Sequence, residues 1–214
     1  MHVQKHFEEH RKLVLQELIR RHPLATFVTN QNDEIVINHM PFVLDASKGE
    51  YGVLMGHMPR SNLAWKILDG ERSAVAVFQG AAQYISPNWY PSKKEHGKVV
   101  PTWNYAVVHA RGCPRIFDDS DRLMGHLNQL TDEQESVQHS PWKISDAPRE
   151  YTQAMIERIV GIEIPILSLV GKWKVSQNRQ TADQIGVVRG LESQGDDASM
   201  AMAELVSQRV YDTE

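Results

Sequence analysis

The spacing of hydrophobic residues changes from helical to strand-like near the start of the chain. Between residues 5 and 22, apolar side chains recur at helical spacing and Pro23 ends the pattern, which predicts a helix. Two short β-rich runs follow, LATFVTN (24–30) and EIVINHMPFVLD (34–45), and the turn-forming residues QND separate them. Two such runs around a short turn predict a β-hairpin.

Hydrophobic runs bounded by turn residues continue along the chain. RSNLAWKILDG predicts one short helix, with Ser61 or Asn62 as its cap and Gly70 at its end. Longer helical patterns lie at 119–136, at 149–158 and after residue 178. The other expected strands are 51–58, 73–80, 82–88, 102–117 and 160–178. A break at Gly80-Ala81 separates the second from the third, a bend is expected at Gly112, and Pro165 is expected at an edge or bulge.

These elements together indicate the fold class. Six or more short strands are closely spaced by turns and flanked by helices, and regular alternation of strand and helix is missing. This pattern predicts an α+β protein, mainly β, whose antiparallel barrel carries helical decoration.

Composition and charge limit the possible functions. The chain has 214 residues, a formal net charge of −4 and one cysteine, Cys113, so an internal disulfide is excluded. We expect no membrane partner and a cytoplasmic location, because no apolar run is long enough to span a bilayer and the N-terminus has no apolar signal core. HFEEH (6–10) matches a zinc-protease pattern only formally, and we expect no metal site. Dinucleotide, phosphate-loop and nucleophile-elbow motifs are also absent from the sequence.

Two segments place polar residues where a strand gives way to an expected helix. In GHMPRSNLAWK, Arg60, Ser61 and Asn62 stand at such a junction, which is a suitable site for an anion such as phosphate. An ordinary capped helix with a surface arginine explains the same residues. In GKWKVSQNRQTADQIG, residues 176–179 open a second expected helix, where they form a plain N-cap or offer donors to a planar heterocycle.

The segment YISPNWYPSKKEHGKVVPTWNYAVVHARG (84–112) is unusually rich in rings and prolines. Pro87, Pro91 and Pro101 stiffen a connection that carries several tryptophans and tyrosines. Rings on such a segment stack on a flat ligand, bury a subunit interface or pack in the core. Charged residues among the rings favour the first two alternatives over complete burial.

Three stretches carry a resemblance to a known family: the ring-rich segment, NHMPFVLD…GHMPRSNLAWK, and GKWKVSQNRQTADQIGVVRGL. Between Phe7 and Leu191 the chain resembles the PaiB-type FMN-binding negative transcriptional regulators. The resemblance implies an FMN-binding split barrel, as in pyridoxamine-phosphate oxidases, and a homodimer with flavin at the subunit interface. It also implies one domain over 1–191, followed by a helical tail at 192–214.

The resemblance also implies which residues hold the cofactor. A strand followed by an arginine-bearing helix start holds the FMN phosphate in this fold, the NHMP strand passes beside the isoalloxazine, and the later polar residues complete the pocket, in part from the second chain. The candidates are Asn38, His39, Arg60, Ser61, Asn62, Lys66, Trp103, Asn104, Gln177, Asn178 and Arg179.

The resemblance leaves the function open between two main classes. One is a flavin-binding transcriptional regulator that represses its target, and the other is an FMN-dependent oxidoreductase that uses the same pocket for a small molecule. A barrel that binds another phosphate in place of FMN is a third. No catalytic acid–base pair is identifiable, and DNA binding is expected from the resemblance alone, since no basic stripe or helix-turn-helix is evident.

Overall fold

The computed structural model describes residues 1–31 and 34–211. Asn32 and Asp33 of the expected QND turn, and the last three residues of the expected tail, lie outside the described residues. Nine strands are described: β1 (Glu8–Glu9), β2 (Leu24–Gln31), β3 (Glu34–Pro41), β4 (Val43–Asp45), β5 (Val53–Pro59), β6 (Ala74–Ile85), β7 (Thr102–Gly112), β8 (Arg115–Phe117) and β9 (Ile159–Lys174). Six α-helices are described: α1 (Lys12–Arg21), α2 (Ser92–His96), α3 (Ser120–Glu135), α4 (Arg149–Ile156), α5 (Thr181–Glu192) and α6 (Asp197–Tyr211).

The strands form one sheet in the order β3-β2-β6-β7-β9-β5-β4, and β1 and β8 also pair with β9. The expected hairpin is present as β2 and β3, which pair antiparallel from Leu24 opposite Pro41 to Gln31 opposite Glu34. The predicted α+β class with an antiparallel sheet is therefore confirmed. Among the described residues, no helix combines the length and hydrophobicity that crossing a bilayer requires.

The chain divides into two compact units. The first unit consists of Met1–Leu18, Gln79–Val108 and the chain from Val170 onward. Its core includes Leu191, Met202 and Val206, which are fully buried residues of α5 and α6. The two helices pack against each other.

A buried carboxylate also stabilises the first unit. Glu9 accepts hydrogen bonds from the backbone and side chain of Arg11 and forms an ion pair with Arg209 of α6. Burial alone would raise the pKa of Glu9, but the Arg11 hydrogen bonds and both positive charges lower that pKa to about 2. Glu9 therefore remains ionised and joins the N-terminal segment to the last helix.

The second unit consists of Ile19–Phe78 and His109–Leu169. Phe27, Phe42 and Phe78 meet edge to face in its sheet core, with ring centroids 5.7 and 6.3 Å apart. A second buried cluster, Phe117, Leu123 and Ile156, packs α3 and α4 beside β8. Aromatic edge-to-face contacts of this kind stabilise a core beyond the area that they bury.

Several expected element boundaries are wrong. The first helix begins at Lys12, because Glu8 and Glu9 pair with β9 as a short strand. The expected break at Gly80-Ala81 does not occur, and β6 runs through it without interruption. Pro165 lies inside β9 opposite Val53, so it is not at a sheet edge, and the alternative of a bulge there stays a prediction.

The expected bend near Gly112 is confirmed as the end of β7. A side chain at Gly112 would overlap the carbonyl oxygen of Pro165, so the backbones approach closely there. The separate domain status of the tail from residue 192, which contains α6, stays a prediction.

Candidate functional site

The predicted phosphate residue Arg60 follows β5 directly and is held on several sides. Its backbone N–H donates to the carbonyl of Arg158 at 2.8 Å, and its Nε donates to the carbonyl of Glu157 at 2.9 Å. Its Nη2 contacts the carboxylate of Asp118. The guanidinium is therefore fixed in position, but Asp118 already neutralises its charge and would oppose an incoming anion.

The helix expected after Arg60 is not an α-helix. Residues Leu63–Ile67 form a short 3₁₀ turn, so the dipole of a long helix is missing. The capping prediction holds for Asn62, whose Oδ1 accepts from the N–H of Ala64 at 3.1 Å. Ser61 before this turn and Lys66 within it are exposed, and the Lys66 ammonium lies 5.9 Å from the centroid of the Trp65 ring.

Asn62 and Asn38 form the best-defined polar contact of this region. The Nδ2 group of Asn62 donates to Oδ1 of Asn38 at 2.7 Å. This bond orients the Asn38 amide and leaves its own Nδ2 group buried and without a partner among the described residues. A buried donor without an acceptor is costly, so it favours a ligand that offers an oxygen or a ring nitrogen.

Neighbouring candidates on a strand point in opposite directions. Side chains alternate along β3, so the half-buried Asn38 and the exposed His39 lie on opposite faces. The same alternation on β7 separates Trp103, which is 57% exposed, from Asn104, which is 1% exposed. A ligand on one face of a strand contacts only one member of each pair.

In the first unit, Asn104 meets one of the expected helix-opening residues. Asn104 donates from Nδ2 to Oγ of Ser176 at 2.8 Å, and its Oδ1 is buried without a partner among the described residues. Ser176 adopts a φ of 65°, which is the left-handed conformation that most residues avoid. The buried pair therefore stabilises an uncommon turn ahead of α5.

The expected helix start at 176–179 is wrong, since α5 begins at Thr181. Gln177 folds back onto its own strand, where Oε1 accepts from the N–H of Val175 at 2.8 Å and Nε2 donates to the carbonyl of Trp173. Arg179 stacks over the Tyr90 ring, with 4.8 Å between the guanidinium carbon and the ring centroid. Asn178 is exposed, so only some of these donors face solvent.

The ring-rich segment serves packing more than the sequence suggested. Tyr90 is almost fully buried, and Trp89 packs against Gly186 and Gly190 of α5. Ser92 donates from its backbone and hydroxyl groups to the buried carboxylate of Asp183, at 3.1 and 2.7 Å. Tyr90 and Ser92 therefore belong to the core of the first unit, whereas Tyr84, Trp103 and residues 93–98 of the same segment are exposed.

Sequence reasoning missed a pair of histidines in the second unit. Nδ1 of His57 on β5 lies 3.1 Å from Nε2 of His126 on α3, within hydrogen-bond distance. Burial lowers the pKa of both imidazoles, and the neighbouring His57 charge helps lower the pKa of His126 to about 4. Because the two residues are far apart in the sequence, no local pattern could reveal them. Among the described residues, no cluster of three or more potential ligands is arranged to hold a metal ion.

Comparison with protein families and individual relatives gives concordant results. The family described as "Putative FMN-binding domain" matches residues 1–168. A protein of Emericella nidulans is 37% identical over 231 residues, and the match covers 92% of each chain. "Protease synthase and sporulation protein PAI 2" of Bacillus subtilis is 24% identical over 98% of each chain.

Solved structures share the fold at low sequence identity. The flavocytochrome Anf3 of Azotobacter vinelandii is 13% identical with a TM-score of 0.54, over 80% of this chain and 72% of the other. An FAD and heme binding protein of Mycobacterium smegmatis is 14% identical with a TM-score of 0.56, over 78% and 73% of the two chains. These likenesses concern the fold alone, and the predicted split barrel is confirmed.

Proposed function

The chain belongs to the family of FMN-binding domains and its cofactor is FMN, and we propose that it works as a PaiB-type negative transcriptional regulator. The observation that carries the proposal is the match to PAI 2, which extends over 98% of both chains. A second part of the proposal is that two copies of the chain hold the flavin where they meet.

The residues present fit parts of a flavin. The unpartnered Nδ2 donor of Asn38 suits the carbonyl and ring-nitrogen acceptors at the edge of an isoalloxazine. Arg60 supplies a fixed guanidinium for the phosphate, provided that the phosphate displaces Asp118 from it. When bound, FMN supplies redox or light-absorbing chemistry, while these side chains bind and orient it.

An apolar sheet face supports the homodimer. Ile35 and Ile37 on β3 are 71% and 56% exposed. In the sheet, Ile37 lies opposite Val28, and Val28 lies opposite Val75, so an apolar row crosses three strands. An apolar face of this kind favours contact with a complementary surface, and a second copy of the chain offers the same face.

The regulatory role is tested by DNA retention. A regulator retains a specific duplex, and the retention weakens steeply as salt is raised because phosphate contacts release counterions. The alternative is an FMN-dependent oxidoreductase, in which the same pocket would hold a small molecule beside the flavin. Purified protein that oxidises a reduced nicotinamide and retains no duplex would support this alternative.

The phosphate role of Arg60 gives the first prediction. Replacing Arg60 with alanine should weaken FMN binding by about 1.5–3 kcal/mol, the scale of a charged hydrogen bond. Asp118→Asn should strengthen binding, because it removes the carboxylate that competes for the guanidinium. Fluorescence titration of FMN into apoprotein measures both effects.

Arg72→Ala provides the control for this experiment. Arg72 forms a comparable ion pair with Asp69, at 3.7 Å, in the same unit. FMN affinity in this variant should equal that of the unchanged protein. An Arg60→Ala variant that binds FMN with unchanged affinity would exclude Arg60 from the phosphate role.

A further inference from the structure

Three cationic side chains lie close together in the first unit. Successive side chains of a strand point to opposite faces, and Lys172 and Lys174 are two positions apart on β9. Both therefore project from the same face of the sheet. Lys172 and Arg179 are the charged neighbours that, after burial, lower the pKa of Lys174. Lys174 therefore lies near two further positive charges, which repel its own.

The exposed rings of Tyr84 and Trp103 and the half-buried ring of Tyr105 accompany these cations. Lys174 donates to the backbone carbonyl of Trp103 at 2.5 Å, and the Lys172 ammonium lies 5.4 Å from the centroid of the Tyr105 ring. Trp103 meets Tyr84 edge to face at 6.1 Å. We call Tyr84, Trp103, Tyr105, Lys172, Lys174 and Arg179 the lysine–tryptophan face.

Within the described part of the chain, neither lysine of this face forms an ion pair with a carboxylate. Lys174 donates to the Thr102 hydroxyl and the Trp103 carbonyl, and Lys172 donates to the carbonyl of His2 at 3.4 Å. These acceptors are neutral oxygens. Glu8 lies opposite Lys172 in the sheet, but its carboxylate pairs with His10 at 3.4 Å.

A ligand that relieves this repulsion must carry negative charge. The exposed Trp103 ring adds a flat surface on which an aromatic system can stack. Half-buried cations interact more strongly with an anion than fully solvated cations do, because the local dielectric is lower. The chemistry therefore fits a planar aromatic molecule with a phosphate or carboxylate group.

We propose that the lysine–tryptophan face is a binding site for a planar aromatic anion, with Lys174 and Lys172 at the anionic group and Trp103 against the ring. Two kinds of ligand have this chemistry. One is FMN itself, in which case the inference rests on the proposed function. The other is a second small molecule that binds to the protein when FMN is already bound. Lys172, Lys174 and Tyr84 are then binding residues that the sequence patterns did not indicate.

The test measures two ligands on the same variants. FMN is titrated into apoprotein and nicotinamide mononucleotide into FMN-loaded protein, by calorimetry and by quenching of tryptophan fluorescence. Lys174→Gln should weaken one of the two ligands about tenfold, the scale of one charged hydrogen bond. Trp103→Leu should weaken the same ligand and abolish most of the quenching. Higher ionic strength should weaken it as well.

Controls separate binding from folding. Lys98→Gln removes an exposed lysine of the same unit that is not part of the face, and its affinities should equal those of the unchanged protein. Lys174 also donates to Thr102 at the start of β7, so its replacement can lower the stability of the fold. If Lys174→Gln melts at a lower temperature than the unchanged protein, Lys172→Gln is tested in its place.

The outcomes distinguish the two proposals. Loss of FMN affinity identifies the flavin as the ligand, and loss confined to nicotinamide mononucleotide identifies a second molecule. Protein that binds no FMN contradicts the proposed function, yet a Lys174-dependent affinity for the mononucleotide would still support this site. Unchanged affinities for both ligands in both lysine variants overturn the inference. Tighter, steeply salt-dependent binding of single-stranded DNA to this face overturns it too.

Discussion

At the scale of single residues, the His57–His126 pair shows how burial sets protonation. His126 is only 1% exposed, and its Nδ1 has no partner among the described residues. The Phe117 ring lies edge-on, with its centroid 6.5 Å from that of His126. A charged imidazole in these surroundings loses hydration without gaining a counterion, so the folded protein holds the pair neutral.

This neutrality predicts a loss of stability in mild acid. The pKa of His126 is about 4 in the folded protein, against an ordinary value of 6.5, so the unfolded chain binds more protons between these values. The stability that the neutral imidazole contributes is complete above pH 6.5 and decreases as the pH falls towards 4. At pH 5 the linked loss is roughly 2 kcal/mol.

Urea unfolding of a His126→Phe variant at pH 7 and pH 5 measures this loss. The variant should lose less free energy of unfolding between the two pH values than the unchanged protein does. His139→Gln, at an exposed histidine, should not alter the difference. Equal losses in His126→Phe and the unchanged protein would contradict the prediction. Glu9 does not interfere, because its contribution disappears only between its ordinary value of 4.5 and about 2.

The sequence identified polar residues as site candidates more easily than it showed which way their side chains point or which partners they have. The sequence placed Asn38 and Asn62 in the candidate site, and the structure joins them in one hydrogen bond. It could not show that Asp118 neutralises Arg60, because 58 residues separate the two. Contacts of this range depend on the tertiary fold, and local spacing carries no information about them.

At the scale of elements, two helices use glycine for different reasons. Gly186 and Gly190 lie one turn apart on α5, and a Cβ on either would overlap Trp89. The absence of side chains lets the segment around Trp89 approach the helix backbone closely. Gly125 on α3 is different, because a Cβ there would meet no atom within 4 Å.

This difference predicts opposite effects of the same substitution. Gly190→Ala should lower the melting temperature, because overlap with the Trp89 ring costs about 1–3 kcal/mol, more than the helix propensity gains. Gly125→Ala should raise it, since alanine is up to about 1 kcal/mol more favourable than glycine in an exposed helix. Calorimetric melting of both variants gives the comparison. A stabilised Gly190→Ala variant would show that Trp89 does not occupy that position.

Element types were predicted better than element ends. Short β-rich runs bounded by turn residues predicted most of the strands. β6 continues through Gly80 although glycine is unfavourable in strands, because β6 pairs with strands on both sides in the sheet. The start of α5 was placed too early, because Ser176 and Asn178 are favoured in turns as well as at N-caps.

At the scale of the whole molecule, the oligomeric state is the property on which the proposed flavin site most depends. Ile37 lies on the apolar row of β3, β2 and β6, and in a two-fold dimer each substitution occurs twice. Burying one isoleucine contributes roughly 1.5–3 kcal/mol, so Ile37→Lys should weaken association at least a hundredfold. Sedimentation equilibrium should then give a monomer mass. Release of FMN from this monomer would show that the dimer contact also holds the flavin, since Asn38 lies on the opposite face of β3 from Ile37. Val137→Lys, at an apolar residue that is 84% exposed elsewhere in the same unit, should remain dimeric and yellow. A dimeric Ile37→Lys variant with full FMN content would remove this face from the interface.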